Sequence, residues 1–106
     1  MIARSWSAEA SAQNAEKYIR HFREKVLPVV TSIEGHRGAY VMKRPHGEGV
    51  EIVIITLWES MNAVRKFAGD DPEVAVVTDE ARAILSRYDE LVAHYEIVWT
   101  PQSSQF

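Results

Sequence analysis

The chain has 106 residues, of which 46% are hydrophobic, and a formal net charge of −3. That length bounds it to one domain, and the negative balance without a basic block disfavours electrostatic binding to nucleic acid or to an anionic membrane. With no cysteine, disulfides, thiolate nucleophiles and cysteine metal sites are all removed.

The first residues lack the apolar run of a signal peptide, and no apolar run reaches transmembrane length. The default expectation is a soluble cytoplasmic protein. At residues 2–7, Ile2, Arg4 and Trp6 alternate with small residues, which predicts a short first strand. An amphipathic helix follows, with Ser11 as its N-cap. Ala15, Tyr18, Ile19, Phe22, Val26 and Val29 form its inward stripe, and Glu16, Lys17, Arg20, Arg23 and Glu24 its polar side. Pro28 lacks a backbone donor, so a kink or register change is expected there. Gly35 belongs to the segment that ends the helix.

Residues 38–43 predict a second strand, and residues 44–49, with Pro45, Gly47 and Gly49, a turn. A hairpin partner follows at residues 50–58. Ser60 caps a second helix over 61–68, with Gly69 as a left-handed stop. Asp71 and Pro72 suit a capped turn. Thr78 caps a third helix with Ala81, Ile84, Leu85 and Tyr88 inward, and residues 91–99 alternate as a final strand. The order, strand–helix–strand–strand–helices–strand, predicts an α+β, ferredoxin-like split βαβ fold with an antiparallel sheet and helices on one face. It occupies residues 1–100, with a flexible polar tail at 101–106.

The strand at 50–58 is apolar on both faces. Ile52, Ile54, Thr56 and Trp58 lie on one, and Val53, Ile55 and Leu57 on the other. If helices cover the Trp58 face, three large apolar side chains remain. At roughly 1.5–3 kcal/mol each, about 5–9 kcal/mol of burial is forfeited, against a whole-domain stability of about 5–15 kcal/mol. A homodimer through Val53, Ile55 and Leu57 recovers it. The alternative, cover by the chain's own tail, suits the polar run Gln102-Ser103-Ser104-Gln105 poorly.

The run Ser32-Ile33-Glu34-Gly35-His36-Arg37-Gly38-Ala39-Tyr40 resembles the I-x-G-x-x-G entry to the second strand of the antibiotic biosynthesis monooxygenase (ABM) domain family. Thr56-Leu57-Trp58-Glu59-Ser60 before a helix is similar to that family's third-strand ending, and His94-Tyr95-Glu96-Ile97-Val98 to its last strand. The resemblance spans residues 2–98. It implies a dimeric α/β barrel and one of several activities, among them quinone formation without metal or flavin, and haem degradation. The haem-degrading pattern uses an Asn on strand one, a Trp at the end of helix two and a His beyond it. Here Phe67 ends that helix, residues 74–77 hold no His and strand one holds no Asn, so the pattern disfavours that chemistry.

Quinone formation requires aromatic walls and a group that handles a proton. The resemblance places Trp58 near the cleft as a ring-stacking surface; a core Trp with a satisfied indole N–H is the plainer reading. Trp6, Phe22, Tyr40 and Phe67 are further candidate walls. His94, His21 and Arg37 are the catalytic candidates, with Arg4 among the polar groups available; for each His a structural or surface role is the plain alternative. The histidines His21, His36, His46 and His94 have no metal-ligand spacing, so neither metal nor cofactor is expected. Asp70-Asp71 and Asp79-Glu80 read as helix-capping and first-turn acids. Two functions result: a cofactor-independent monooxygenase-like enzyme acting on a small aromatic, quinone-forming substrate, or a non-catalytic dimer that binds a small apolar ligand or serves as a scaffold.

Overall fold

The computed structural model describes residues 1–101. The tail expected at 101–106 therefore lies outside the described residues except for Pro101. The elements are β1 (Ile2–Ala10), α1 (Ala12–His21), a π-helical turn (Phe22–Val26), α2 (Leu27–Thr31), β2 (His36–His46), β3 (Gly49–Trp58), α3 (Met61–Ala68), α4 (Asp79–Ile84), β4 (Arg87–Tyr88) and β5 (Ala93–Glu96). All strand pairs are antiparallel, in the order β2-β3-β1-β4, with β5 also on β1. The fold is α+β and ferredoxin-like.

Three N-caps form as the sequence indicates. Ser11, Ser60 and Thr78 accept from the backbone N–H of Asn14, Ala63 and Ala81, each satisfying a donor that a helix start leaves free. The disturbance expected at Pro28 is a register change. Pro28 offers no N–H and its ring crowds the carbonyl four residues back. The preceding turn widens, and the Leu27 N–H bonds the Phe22 carbonyl, five residues away. The wider turn inserts one residue into the helical count. Val30, not Val29, therefore lands in the core, and Val29 is exposed.

Other bounds differ from the sequence expectation for local reasons. Strand β1 continues to Ala10 because β3 pairs with it over its whole length. The β2–β3 turn narrows to Gly47 and Glu48, since Arg44, Pro45 and His46 pair with Glu51, Val50 and Gly49. Pro45 is tolerated because β2 is an edge strand. The third helix ends at Ile84; Leu85 is extended, and Tyr88 points inward from β4 rather than from a helix. The final strand, expected over 91–99, is shortened to β5 at Ala93–Glu96; β4 falls where the third helix was expected, and in the loop between them Leu91 bridges Val74.

The helices cover one face of the sheet. Beneath them lie two apolar clusters. One gathers Ala8, Ala15, Tyr18, Phe22, Ile52, Ile54, Ala81 and Leu85; the other gathers Val30, Trp58, Ala63 and Val64. The opposite face carries Val53, Ile55 and Leu57 of β3, flanked in register by Tyr40 and Met42 of β2 and, across β1, by Tyr95 of β5. Nothing among the described residues packs over it as a layer, and Tyr40, Met42 and Tyr95 are exposed.

Gly35 joins the helical layer to the sheet. Its φ is +99°, its carbonyl accepts from Glu59 N at 2.7 Å, and a Cβ there would stand 2.6 Å from the Ala63 Cβ. Gly35→Ala is expected to lower stability by roughly 2–5 kcal/mol, from the left-handed backbone and the overlap together. At Gly47, with φ +59° and open space around it, the same change should cost only about 1 kcal/mol. Urea unfolding of both variants at one protein concentration checks the ranking.

Candidate functional site

Where the two apolar clusters meet, the helical face of the sheet is polar. His94, Arg4 and Thr56 stand on one cross-strand rung, since Arg4 pairs with Thr56 of β3 on one side and His94 of β5 on the other. The rung above holds Trp58 and Ile2, the rung below Ile54 and Trp6. Cross-strand neighbours on one face lie about 4.5–5.5 Å apart at Cβ, so these side chains are held side by side by the ladder itself.

A small cavity of about 50 Å³ opens on this rung. Its floor is Arg4, Trp6, Ile54 and Thr56. Tyr18, His21, Phe22, Val26 and Val30 close it from α1, the π-helical turn and α2, Phe67 from α3, and Val76, Val77 and Thr78 from the loop before α4. The sequence candidates Trp6, Phe22, Phe67 and His21 are thus brought together. Four others are placed differently. Trp58 is fully buried behind the cavity, donating its indole N–H to Thr56 Oγ1 at 2.8 Å and stacking on Phe67 with centroids 5.8 Å apart. It supports the wall and does not form it. Tyr40, expected as a wall, lies on the open face of the sheet, because its register with Ile55 fixes its parity. Arg37 is at the surface, paired with Glu59 at 3.0 Å. His94 shares the cavity face of the sheet but reaches Arg4 and not the void.

Arg4 is a buried charged residue at the centre of this rung. It is only 5% exposed. Its guanidinium donates to the carbonyls of Pro72 and Val74, the latter at 3.2 Å, and stands 3.0 Å from His94 Nε2 and 5.8 Å from the Phe67 centroid. Among the described residues no carboxylate lies within ion-pair distance of it. Burial alone pushes its pKa down, to about 10, which leaves it charged at neutral pH. The available signal in the sequence was an arginine at an inward position of an otherwise apolar strand face.

His94 is explained by the same contact. Because a guanidinium can only donate, Nε2 of His94 accepts and the imidazole is neutral. Its lone pair is engaged by Arg4, which makes His94 a positioning group for the guanidinium. His21 sits at the other end of the cavity, with Nε2 2.9 Å from Thr78 Oγ1 and Nδ1 3.3 Å from Glu80. Thr78 Oγ1 also caps α4 by accepting from Ala81, so its hydroxyl hydrogen is free to point at His21. Tyr18 closes this end; burial pushes its phenol well above the ordinary range. Among the described residues no cluster of three His, Cys, Asp or Glu side chains is placed to hold a metal ion. No helix among them is long and apolar enough to cross a membrane.

A model of the family described as antibiotic biosynthesis monooxygenase matches residues 1–77. Among solved structures, a Bacillus cereus protein described as a candidate antibiotic biosynthesis monooxygenase aligns at TM-score 0.69 and 15% identity, over 97% of this chain and 96% of that one. A variant of MhuD with two manganese protoporphyrin IX molecules bound per active site aligns at TM-score 0.69 and 18% identity, over 97% of this chain and 100% of that one. Rv0793 from Mycobacterium tuberculosis aligns at TM-score 0.52 and 15% identity, over 97% and 99%. At these identities the likeness is one of fold. No curated protein matches the chain.

The Arg4–His94 contact has a pH signature. Burial, and then the Arg4 charge, hold the His94 pKa below its ordinary 6.5, with Glu73 acting in the opposite sense. A folded-state pKa below the unfolded one means that the unfolded chain binds more protons on acidification. The stability contributed by neutral His94 is complete above about pH 6.5 and is lost as pH falls towards the lowered value. His36, lowered by burial and then by Arg37, adds in the same window. The urea midpoint should therefore fall between about pH 7 and pH 5, and less steeply in His94→Gln, which keeps an acceptor for Arg4 but cannot titrate. Parallel curves for the two proteins would assign the titration elsewhere.

Proposed function

The chain belongs to the antibiotic biosynthesis monooxygenase family, and on that premise we propose that it is a cofactor-independent, monooxygenase-like protein acting on a small aromatic, quinone-forming substrate. The observation that carries this reading is the cavity: aromatic and aliphatic walls around a few converging polar groups, the usual composition of a small-molecule site. Phe67 and Trp6 offer ring faces, and Arg4, Thr56 and His21 supply polarity at the two ends. In such a reaction the ionised phenol gives up electrons to dioxygen, and the protein holds the ring, keeps water out and accommodates the lost proton.

The void of about 50 Å³ is smaller than the roughly 150 Å³ cavity that takes one benzene ring. A substrate therefore displaces part of the wall. The segment at 69–78 is the part able to move, since its only regular pairing is the single bridge from Val74 to Leu91. The porphyrins in the MhuD variant favour a second reading, binding of a large planar macrocycle at the same place. Against it, the cavity positions corresponding to the haem-degrading pattern are Phe67 and the valines at 76 and 77, which offer iron no ligand.

In dioxygen-uptake assays with hydroquinones and anthrones, consumption is expected in the wild type, with kcat/KM falling about 10- to 100-fold in Phe67→Ala from the lost ring contact. No uptake with any substrate of either class, or equal rates in the two proteins, would retire the reading. A sharp Soret shift on adding haem to the same samples would support the second one.

The open sheet face supports a homodimer through Val53, Ile55 and Leu57, enlarged by Tyr40, Met42 and Tyr95. A continuous apolar face of this kind is unusual on a stable monomer, and packing two sheets back to back gives the dimeric barrel. Light scattering should return a dimer mass for the wild type and a monomer, or aggregates, for Ile55→Lys. A monomeric wild type at micromolar concentration would remove the interface.

A further inference from the structure

We infer that Arg4 and Thr56 together form an anchor for one ionised oxygen on the ligand, so that the cavity takes a small aromatic molecule as its anion. The inference rests on the reading of this cavity as the ligand site and adds to it the charge state in which the ligand is held.

The donors and charge of Arg4 are not balanced by its partners. A guanidinium has five N–H donors. Three acceptors are identified for Arg4, the carbonyls of Pro72 and Val74 and the imidazole of His94, and all three are neutral. Buried charges in folded proteins are paired as a rule, yet no carboxylate approaches this one among the described residues, and the side chain lines the cavity. Two of its five donors thus have no identified acceptor, and the partner that such a buried cation lacks is an anion.

Thr56 points the same way. Its Oγ1 accepts the Trp58 indole N–H, which leaves the hydroxyl hydrogen free to rotate into the cavity it lines. Thr56 is buried and opposite Arg4 in the ladder, so one rung presents a fixed cation and a hydroxyl donor. In a water-poor site such a pair favours the ionised form of an oxygen acid over its neutral form. Phe67 and Trp6 beside it suit a ring attached to that oxygen. Glu80 lies beyond His21 at the other end of the cavity; Glu73 is on the Arg4 side, where its charge is felt by His94, but neither carboxylate lines the cavity.

The geometry also links binding to entry. Arg4 holds the segment at 69–78 by two of its backbone carbonyls, and that segment is the wall a ligand has to displace. An anion that displaces either carbonyl from the guanidinium loosens the contacts that keep the wall in place.

The test is the ionisation of a bound probe, 4-nitrophenol, whose anion alone absorbs in the visible. With protein in excess, the bound probe should ionise about tenfold more readily than the free probe, a downward shift of about one pH unit. Benzoate should displace it and benzamide, of the same shape but uncharged, should not; displacement by benzoate extends the anchor from phenolates to carboxylates. Arg4→Gln should abolish the shift, and Arg4→Lys should retain part of it. An unchanged or raised ionisation constant, no binding at millimolar probe, or a shift that survives Arg4→Gln would overturn the inference. If Arg4→Gln does not fold, the wild-type shift still decides, because an apolar cavity without a facing cation raises a phenol's pKa. Turnover is not part of this measurement. A protein that ionises the probe but consumes no dioxygen keeps the anchor and loses the monooxygenase reading; one that oxidises hydroquinones without shifting the probe does the reverse.

Discussion

Strand β3 is apolar on both faces, and the helices of one chain cover only one of them. That constraint sorts most of the molecule. Ile52, Ile54 and Trp58 go under the helices and organise both core clusters. Val53, Ile55 and Leu57 go to the other side, half-buried among their neighbours on the sheet. Because β1 and β2 pair with β3 along its length, the choice made by β3 fixes theirs. Arg4 and Trp6 are turned towards the helices, and Tyr40 and Met42 away from them. An apolar face and a polar-floored cavity are therefore two consequences of one register.

The same register concentrates the cost of polarity at one rung. A charged guanidinium and a hydroxyl under a helical layer are expensive to desolvate, and the chain meets part of that cost with two backbone carbonyls, an imidazole and an aromatic ring. These contacts tie β1 to the irregular segment before α4 and add to the ladder of β1 with β5. The segment has few helical or sheet hydrogen bonds of its own and partly exposed valines at 74 and 76, the features of a region of low local stability. The cavity is thus bounded on one side by sheet and helix and on the other by an irregular wall held by Arg4, the Val74–Leu91 bridge and the His21–Thr78 contact.

How much of this was readable beforehand differs by residue. The caps at Ser11, Ser60 and Thr78, the stop at Gly69, whose φ is +86°, and the split βαβ order follow from local chemistry and periodicity. The register change before Pro28 was readable as a disturbance, but the extra residue it inserts, which exchanges Val29 for Val30, depends on how the helix resolves the missing donor. Among the site candidates, Trp6, Phe22, Phe67 and His21 line one cavity. Tyr40 was misplaced because the parity of an edge strand beginning at a bulge, here between His36 and Gly38, cannot be counted from sequence. Trp58 carries the family likeness, yet full burial puts Phe67 between it and the void.

The sequence by itself determined the fold class, the helix starts and the two-faced character of β3, because these rest on side-chain period and on residues acting within one turn of themselves. Which groups meet was decided only by the tertiary structure. Arg4, Thr56 and His94 are up to 90 residues apart, and nothing local to any of them specifies the others. Antiparallel pairing sets them on one rung, and burial then turns an ordinary surface-type residue into an unpaired cation at the floor of a cavity. Local rules read a chain one turn at a time; the chemistry of this site arises from register between distant strands.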